Sequence, residues 1–222
     1  MKKRIFLFSI SSLLLILPFF SVFSQDRMRE QSIDEKVIAF LERNHYRWRD
    51  MNVPESDGKI LFDLIVRNNY RNALEIGTST GHSAIWMAWA LSKTGGKLIT
   101  IEIDEYRYRE ALVNFEEAGL SDFIDARLAD AHELVKDLEG PFDFVFCDAD
   151  KDWYKNYFID IYPKLKIGGC YTAHNISDGW RGRGGGRGAS AFFEYVKGLK
   201  NMETTLNSSG AGISISYKRT PE

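Results

Sequence analysis

The sequence predicts an α/β protein with a doubly wound, seven-stranded and mostly parallel sheet. Short apolar runs alternate with helix-length segments between Asn72 and Asn175, and such alternation is typical of a parallel sheet. Acidic or polar residues follow most of the apolar runs, as expected where parallel strands end at a ligand-binding edge. Two further runs near the C-terminus, METTLNS and GISISYK, are predicted to form an antiparallel hairpin that closes the sheet.

The first 24 residues are predicted to be a leader that lies outside this fold. A basic start, KKR, is followed by the apolar stretch IFLFSISSLLLILPFF, and Val22 and Ser24 stand at positions −3 and −1 of a plausible cleavage site. This pattern is typical of a secretory signal peptide, and the same stretch is long enough to anchor an uncleaved chain in a membrane. We therefore expect export to the periplasm or the membrane surface, with residues 25–222 forming one domain.

Two helices are predicted ahead of the first strand, because apolar residues recur at helical spacing in SIDEKVIAFLERNHYRW and, after the loop DMNVPESD, in GKILFDLIVRNN. The next strands are predicted in NALEIG, KLITIEID, IDARLAD, FDFVFCDAD and GGCYTAHN. The helices between and after them are predicted in HSAIWMAWALSK, RYREALVNFEEAG, AHELVKDLEG, WYKNYFIDIYPKL and SAFFEYVKGLK. A basic, glycine-rich loop, RGRGGGRG, precedes the last of these helices.

The composition is that of a globular protein and argues against a nucleic-acid-binding role. Apolar residues make up 44% of the chain. The net charge is −2, and the Lys and Arg residues are spread along the chain, so no basic excess indicates nucleic-acid binding. Cys147 and Cys170 both lie inside apolar runs, and two cysteines are too few for a disulfide framework. We expect both to be buried free thiols.

The first predicted strand leads into a glycine-containing turn, LEIGTSTGHS. Gly77 and Gly81 let a ligand approach the backbone, but their spacing differs from the G-x-G-x-x-G fingerprint of dinucleotide sites. Glu102 ends the second strand, where a carboxylate can accept both hydroxyls of a ribose. Glu75 disfavours a pyrophosphate beside the turn and suits a cationic ligand, while Asp130 could accept from an adenine amine. Adenosine with a cationic tail and no phosphate describes S-adenosylmethionine.

Four segments in order, LEIGTSTGHSAIWMA, LITIEID, FVFCDADKDWYKNYF and GGCYTAHN, resemble the successive motifs of the catechol and caffeoyl-CoA type O-methyltransferases, a family with many bacterial members. The resemblance covers Met51 to Tyr217, and MNVPESDGK is similar to the family's loop over the cofactor. It implies a class I, Rossmann-like fold. It also implies a cofactor pocket lined by Met51, Val53, Glu75, Gly77, Ser79, Ser83, Glu102, Asp130 and Ala131. His82 and His132 fall near this pocket, and a solvated or locally bonded ring is the alternative for each.

In that family, the first aspartate of the DADK segment binds a divalent metal with an aspartate–asparagine pair after the next strand. The resemblance therefore implies Asp148 and Asn175 as metal ligands, with His174 in place of the usual aspartate. An imidazole suits Mn²⁺, Fe²⁺ or Zn²⁺ better than Mg²⁺, and a hydrogen-bonded Asp148–His174 pair without a metal is the alternative. Lys151 is the predicted general base and Asp148 the second catalytic residue, and a surface lysine after a strand is the alternative for Lys151.

The predicted acceptor is a hydroxyl group of a small aromatic molecule. Candidate walls for its pocket are Trp153, Tyr154, Trp180 and the loop WRGRGGGRG. Arginines that could attract an anionic acceptor are Arg181, Arg183, Arg187 and Arg219. Ser214 stands about where catechol-specific members place an acid, which argues against catechol itself.

Two other functions are weighed against the methyltransferase. One is a binding protein that keeps the S-adenosylmethionine cleft but has lost catalysis. His174 favours it, and so does the leader, because S-adenosylmethionine is made in the cytosol and its supply to an exported enzyme is unexplained. The other is an NAD-dependent oxidoreductase, which Glu75 and the missing dinucleotide fingerprint disfavour. The resemblance further implies a homodimer.

Overall fold

The computed structural model describes residues 33–177 and 186–221. The predicted leader, residues 1–24, lies outside the described residues, as do Trp180, Arg181 and Arg183 of the glycine-rich loop. Within the described ranges, no helix has both the length and the apolar character needed to cross a bilayer.

Helices and strands alternate along most of the described chain. The helices are α1 (33–44), α2 (Glu55–Asn68), α3 (His82–Thr94), α4 (Glu105–Glu117), α5 (Ala131–Asp137), α6 (Tyr154–Ile161) and α7 (Gly186–Lys197). The strands are β1 (Asn72–Ile76), β2 (Lys97–Glu102), β3 (Ile124–Leu128), β4 (Phe142–Cys147), β5 (Leu165–His174), β6 (Met202–Asn207) and β7 (Ile213–Lys218). Short 3-10 turns cover Ser121–Phe123, Lys151–Trp153 and Tyr162–Lys164.

The seven strands form one sheet in the order β3-β2-β1-β4-β5-β7-β6. Strands β1 to β5 pair in parallel, whereas β7 runs antiparallel to both β5 and β6. The predicted fold class and the antiparallel C-terminal hairpin are therefore confirmed. The hairpin places β7, the last strand in sequence, between β5 and β6.

Some element boundaries differ from the sequence prediction. Helix α2 begins at Glu55, three residues before the predicted start at Gly58, because Pro54 is its N-cap residue and acids fill its first turn. Strand β5 begins at Leu165 and pairs there with Phe142 before a register shift, so it is longer than its apolar run suggests.

Two apolar cores cover the two faces of the sheet. Successive residues of a strand point to opposite faces: Ala73 of β1 belongs to the core that includes Phe40 and Leu61, whereas Leu74 belongs to the core that includes Phe158 and Phe192. Cys147 and Cys170 are both buried and free, which confirms the prediction made for them.

Because β1, β2, β4 and β5 are parallel, their C-terminal ends meet at the same edge of the sheet. The loops that follow these strands carry the polar residues singled out in the sequence. The packing of α1, α2 and α3 on one face brings the segment before α2 over this edge, where Asp50 and Asn52 bond to the turn after β1.

Candidate functional site

A cleft of about 610 Å³ opens at the edge of the sheet where β1, β2, β4 and β5 end. Its walls come from the loops after these strands and from the segment before α2. The lining residues include Met51, Asn52, Gly77, Ser79, Glu102, Ile103, Arg107, Asp130, Ala131, His132, Asp148, Asp150, Lys151, Tyr157, His174 and Asn175. Eight of the eleven predicted cofactor and catalytic residues, Met51 and Asp148 among them, thus meet in one place, together with the other two predicted metal ligands, His174 and Asn175.

The turn after β1 needs glycine at position 77. Gly77 has a φ of +97°, and a Cβ atom there would lie 2.7 Å from the backbone oxygen of Asp148. The loop after β1 and the loop after β4 therefore touch through their backbones. This contact keeps the floor of the cleft narrow and leaves the backbone accessible to a ligand.

The Glu102 carboxylate is held at the end of β2 by three backbone N–H groups. Ser79 donates to its Oε2 atom at 2.6 Å, and Ile103 and Asp104 donate to its Oε1 atom at 3.1 and 2.9 Å. Glu102 is only 6% exposed, yet it lines the cleft. A fixed carboxylate with remaining acceptor capacity suits the paired hydroxyls of a ribose.

Glu75 lies behind the cleft wall and does not line the cleft. Its side chain is fully buried and accepts hydrogen bonds from the hydroxyls of Ser83 and Thr100, both at 2.5 Å. Burial raises the pKa of Glu75 to about 8, although the two hydroxyls act in the opposite direction and the charge of Asp148 adds to the rise. Ser83 is itself buried, so both residues support the glycine turn from behind.

The segment before α2 is tied across the glycine turn by polar contacts. The Ser79 hydroxyl donates to the Asp50 carbonyl at 2.6 Å, and Asn52 donates to Thr80 at 2.8 Å. Arg107 of α4 pairs with the Asp50 carboxylate at 2.9 Å. Met51, with a φ of 52°, stays largely exposed above the cleft.

His82, at the start of α3, joins this segment to the helix. Its Nδ1 atom donates to the Val53 carbonyl at 2.8 Å, and its Nε2 atom accepts from the Trp86 indole N–H at 3.1 Å. The ring stacks on Trp48 with 4.5 Å between centroids. Burial lowers the pKa of His82 to about 4, so the ring is neutral at physiological pH. Val53 is buried, and only its backbone takes part in these contacts.

Asp130, Ala131 and His132, which follow β3, form one wall of the cleft. The Asp130 carboxylate caps α5 by accepting from the backbone N–H of His132 at 2.9 Å, and it also lies 3.0 Å from the Nδ1 atom of that ring. The ring stacks on Tyr157 with 5.6 Å between centroids and meets Trp153 edge-on at 4.7 Å. This flat, polar-edged wall suits a nucleobase.

Asp148, directly after β4, is the centre of a charge cluster that also lines the cleft. Its Oδ1 atom accepts from the Lys151 ammonium, and the Tyr154 hydroxyl lies 3.4 Å from the same oxygen. Its Oδ2 atom lies 2.9 Å from the Nδ1 atom of His174. The Tyr154 hydroxyl also donates to the His174 carbonyl at 3.2 Å. A hydrogen bond therefore joins Asp148 and His174, the contact on which the alternative to a metal site depends.

The second nitrogen of His174 is bonded to a residue that the sequence analysis does not predict as part of the site. Its Nε2 atom lies 2.8 Å from the Oδ2 atom of Asp57, whose side chain is 0% exposed. Asp57 also accepts from the backbone N–H of Ala211 at 2.9 Å. Burial lowers the pKa of His174, but the hydrogen bonds to Asp148 and Asp57 outweigh burial and raise that pKa to about 9. The ring is an imidazolium between two carboxylates.

The donor set of this cluster does not fit a divalent metal. Both nitrogens of His174 face carboxylate oxygens, and each oxygen of Asp148 already faces a cationic donor. Asn175 lines the cleft with a φ of 55° and is the one predicted ligand with no recorded contact to this cluster. Among residues 33–177 and 186–221, no group of three or more His, Cys, Asp or Glu side chains is arranged to hold a metal ion.

The predicted acceptor-binding residues do not form a single wall in the described part of the chain. Tyr154 is fully buried and reaches the site only through its hydroxyl. Arg219 follows β7 and pairs with Glu203 at 2.6 Å, and Arg187 is exposed in the first turn of α7. Ser214 is buried in β7, opposite Ala173 of β5, and no partner is recorded for its hydroxyl among the described residues.

Sequence reasoning missed Asp57, Asn52 and Arg107. Asp57 stands in the first turn of α2, where an acid is explained by its favourable effect on the helix N-terminus. Asn52 and Arg107 resemble ordinary loop and helix-surface residues. The available signal was MNVPESDGK, whose similarity to a cofactor-covering loop marked the segment but not the individual contacts.

Three features define a class I methyltransferase-type protein: the antiparallel strand β7 between β5 and β6, an acid at the end of β2 and a glycine turn after β1. A family model described as O-methyltransferase matches residues 28–191. The chain therefore belongs to this O-methyltransferase family, as the motifs indicated.

Individual relatives support the same assignment. Caffeoyl-CoA O-methyltransferase 1 of Eucalyptus globulus is 32% identical over 165 residues, which are 72% of this chain and 66% of that protein. Catechol O-methyltransferase of Niastella koreensis is 41% identical over 130 residues, 57% of this chain and 58% of that protein. The crystal structure of an O-methyltransferase from Bacillus cereus in complex with SAH has a TM-score of 0.67 and 26% identity, and covers 85% of this chain and 91% of that chain. The chain spans just under two thirds of the length of the first of these relatives.

Proposed function

We propose that this protein is an S-adenosylmethionine-dependent O-methyltransferase that methylates a hydroxyl group of a small aromatic acceptor. The observation that carries the proposal is the cleft itself: Glu102 and the Asp130–His132 wall suit an adenosine, and the Lys151 ammonium lines the same cleft. Support for a phenolic acceptor comes from the relatives, which are named for caffeoyl-CoA and catechol.

The chemistry asks two things of the protein. The acceptor oxygen must be held in line with the methyl–sulfur bond, and the negative charge on that oxygen must be stabilised as it attacks. Orientation of two bound reactants is worth about 7–11 kcal/mol, and the cleft provides it by fixing the adenosine. A cation held at the acceptor oxygen provides the second effect, and the Lys151 ammonium, which lines the cleft and pairs with Asp148, can supply it.

A direct test measures binding and transfer separately. Calorimetry should show that S-adenosylmethionine binds with micromolar affinity and that NAD does not compete. Transfer of an isotopically labelled methyl group to a panel of phenols should then identify acceptors. Lys151→Met should lower kcat by a factor of about 10²–10³ while S-adenosylmethionine affinity is kept, and Lys155→Met on the neighbouring helix should leave kcat unchanged.

The alternative is a protein that binds S-adenosylmethionine without catalysis, and one observation favours it. His174 stands where the family has an aspartate. The site therefore differs from the family at the reaction end of the cleft, the part lined by Asp148, Lys151 and His174. Binding of S-adenosylmethionine with no transfer to any phenol, with or without added Mg²⁺, Mn²⁺ or Zn²⁺, would support this alternative. Binding of NAD in its place would contradict both functions.

We also propose that the N-terminal segment directs the protein out of the cytosol, and that the folded domain forms a homodimer. The basic start and apolar stretch of residues 1–24 support export. Cell fractionation with antibodies would test it, and a protein found wholly in the cytosol would contradict it. Sedimentation of the purified chain tests the homodimer: a particle of twice the chain mass is expected, and a monomer would contradict it.

A further inference from the structure

We propose that methyl transfer by this protein needs no divalent metal, and that Asp57 and His174 act as positioning residues that hold Asp148 and, through it, the Lys151 ammonium at the reaction end of the cleft. The proposal rests on the function proposed above. It goes beyond that function in assigning a role to Asp57, a residue of α2 that lies in the MNVPESDGK segment but is not among the predicted site residues.

Both ring nitrogens of His174 already face carboxylate oxygens. Its Nδ1 atom is 2.9 Å from Asp148, and its Nε2 atom is 2.8 Å from Asp57. Carboxylates accept hydrogen bonds, so the ring donates from both nitrogens and has no lone pair for a metal. A metal ion binds only a deprotonated nitrogen of an imidazole, and His174 would have to lose one carboxylate partner to provide it.

The charges of the cluster are balanced without a metal. The carboxylates of Asp57 and Asp148 carry two negative charges, and the His174 imidazolium and Lys151 ammonium carry two positive charges, so the cluster is neutral as it stands. A divalent cation added to it would leave two uncompensated positive charges in a buried site. Uncompensated buried charge is strongly unfavourable, and the protein's own cations already balance Asp148.

Asp57 is anchored within the fold. It connects three parts of the chain, because it lies in α2, contacts the end of β5 through His174 and accepts from Ala211 ahead of β7. A Cβ atom on Gly210 would lie 1.6 Å from an Asp57 oxygen, so this approach requires glycine. The contact is therefore built into the packing of α2 against the sheet, which fits a positioning role.

The reaction balances without a metal. The acceptor hydroxyl gives its proton to solvent, and its oxygen attacks the methyl carbon. The carbon–sulfur bond breaks and its electron pair stays on sulfur. The products are the methyl ether, S-adenosylhomocysteine and one proton. The Lys151 ammonium stabilises the acceptor oxygen as an anion, because a fixed cation interacts strongly with a nearby anion in a site of low dielectric.

The first experiment tests the metal directly. The full chain is treated with a chelator and then titrated with Mn²⁺ and with Mg²⁺ in a calorimeter, and its turnover is measured with and without EDTA. We expect no saturable binding and turnover that changes less than about twofold. Stoichiometric Mn²⁺ binding, or activity that EDTA removes and Mn²⁺ restores, would overturn the proposal. The titration reads metal binding even if no acceptor is turned over, so failure of the proposed function is recognised separately.

The second experiment replaces His174 by the aspartate that the family has at this position. In His174→Asp, three carboxylates would face one another, so we expect a variant of low melting temperature that Mn²⁺ raises by several degrees, whereas Mn²⁺ leaves the melting temperature of the wild type unchanged. A wild-type protein stabilised by Mn²⁺ as strongly as the variant contradicts the proposal.

The third experiment keeps the proposal testable if that variant does not fold. Asp57→Asn should lower kcat at least tenfold, while S-adenosylmethionine still binds with a stoichiometry of about one per chain and unchanged affinity. The stoichiometry separates misplacement of Lys151 from loss of folded protein. Asp63→Asn, on the same helix but exposed, is the matched control. Wild-type kcat in Asp57→Asn would remove Asp57 from the proposal.

Discussion

The Nε2 atom of His174 lies 2.8 Å from a carboxylate oxygen of Asp57, although 117 positions separate the two residues in the chain. This contact joins the first turn of α2 to the end of β5. Through the other ring nitrogen it reaches Asp148, and through Asp148 it reaches Lys151. The reaction end of the cleft is thus supported from the opposite side by a helix that lines no part of it.

Loss of the Asp57 carboxylate should destabilise the fold. In Asp57→Ala the His174 imidazolium is left with a single carboxylate, and breaking a buried ion pair costs about 3–5 kcal/mol. Urea denaturation should show this loss in the free energy of unfolding. Asp63→Ala removes an exposed pair with Arg67 at 3.7 Å and should cost about 0–1 kcal/mol. Equal losses of unfolding free energy in the two variants would mean that the buried contact stabilises the fold no more than the Asp63–Arg67 pair does.

Protonation of His82 should weaken the fold at acid pH. The pKa of His82 is about 4 in the folded protein and about 6.5 in an unfolded chain, so the unfolded state binds the extra proton between these values. Stability should therefore fall as the pH is lowered from about 6.5 to about 4, by roughly 3 kcal/mol in total.

Two variants separate this effect from other titrating groups. In His82→Gln the part of the acid loss that comes from this ring should disappear, whereas His45→Gln, at an exposed site, should keep it. Denaturant unfolding measured from pH 4 to pH 8 provides the comparison. A His82→Gln profile that parallels the wild type would show that the buried ring is not the source.

Glu102→Gln should weaken binding of S-adenosylmethionine. The variant keeps the shape of the side chain but replaces one acceptor oxygen by a donor and removes the charge, and hydrogen bonds to charged groups contribute about 1.5–3 kcal/mol. The dissociation constant measured by calorimetry should rise roughly 10- to 100-fold. Glu105→Gln, in the exposed first turn of α4, should bind as the wild type does. Unchanged affinity in Glu102→Gln would place the ribose elsewhere.

Gly77→Ala should disturb both the fold and the cleft. A positive φ costs an alanine about 1–2 kcal/mol, and the added Cβ atom would also press on the Asp148 backbone at 2.7 Å. Gly95→Ala is the matched control, because Gly95 has a φ of +72° but no atom within 4 Å of an added Cβ. We expect Gly95→Ala to lose only the stability that a positive φ costs an alanine. Gly77→Ala should lose more stability and most of its S-adenosylmethionine binding. The two variants are compared by thermal unfolding and calorimetry.

Much of the fold could be predicted because local patterns report local geometry. NALEIG and FDFVFCDAD are apolar at most successive positions, as expected of strands buried on both faces, and HSAIWMAWALSK is too long and too alanine-rich for a strand. These segments became β1, β4 and α3 within two or three residues of the predicted bounds. The position of β7 between β5 and β6 had no local signal, because pairing partners are chosen by packing across the sheet.

The site was only partly predictable for the same reason. By itself, the sequence determined which residues follow the strands: Gly77, Glu102 and Asp148 lie at the cleft because parallel strands must end at a common edge. Only the tertiary structure decided that Glu75 and Ser83 lie behind that edge and that Asp57 pairs with His174. Strand order and periodicity are set by backbone geometry within a few residues, whereas a buried charge finds its partner among residues that the chain brings together only when it folds.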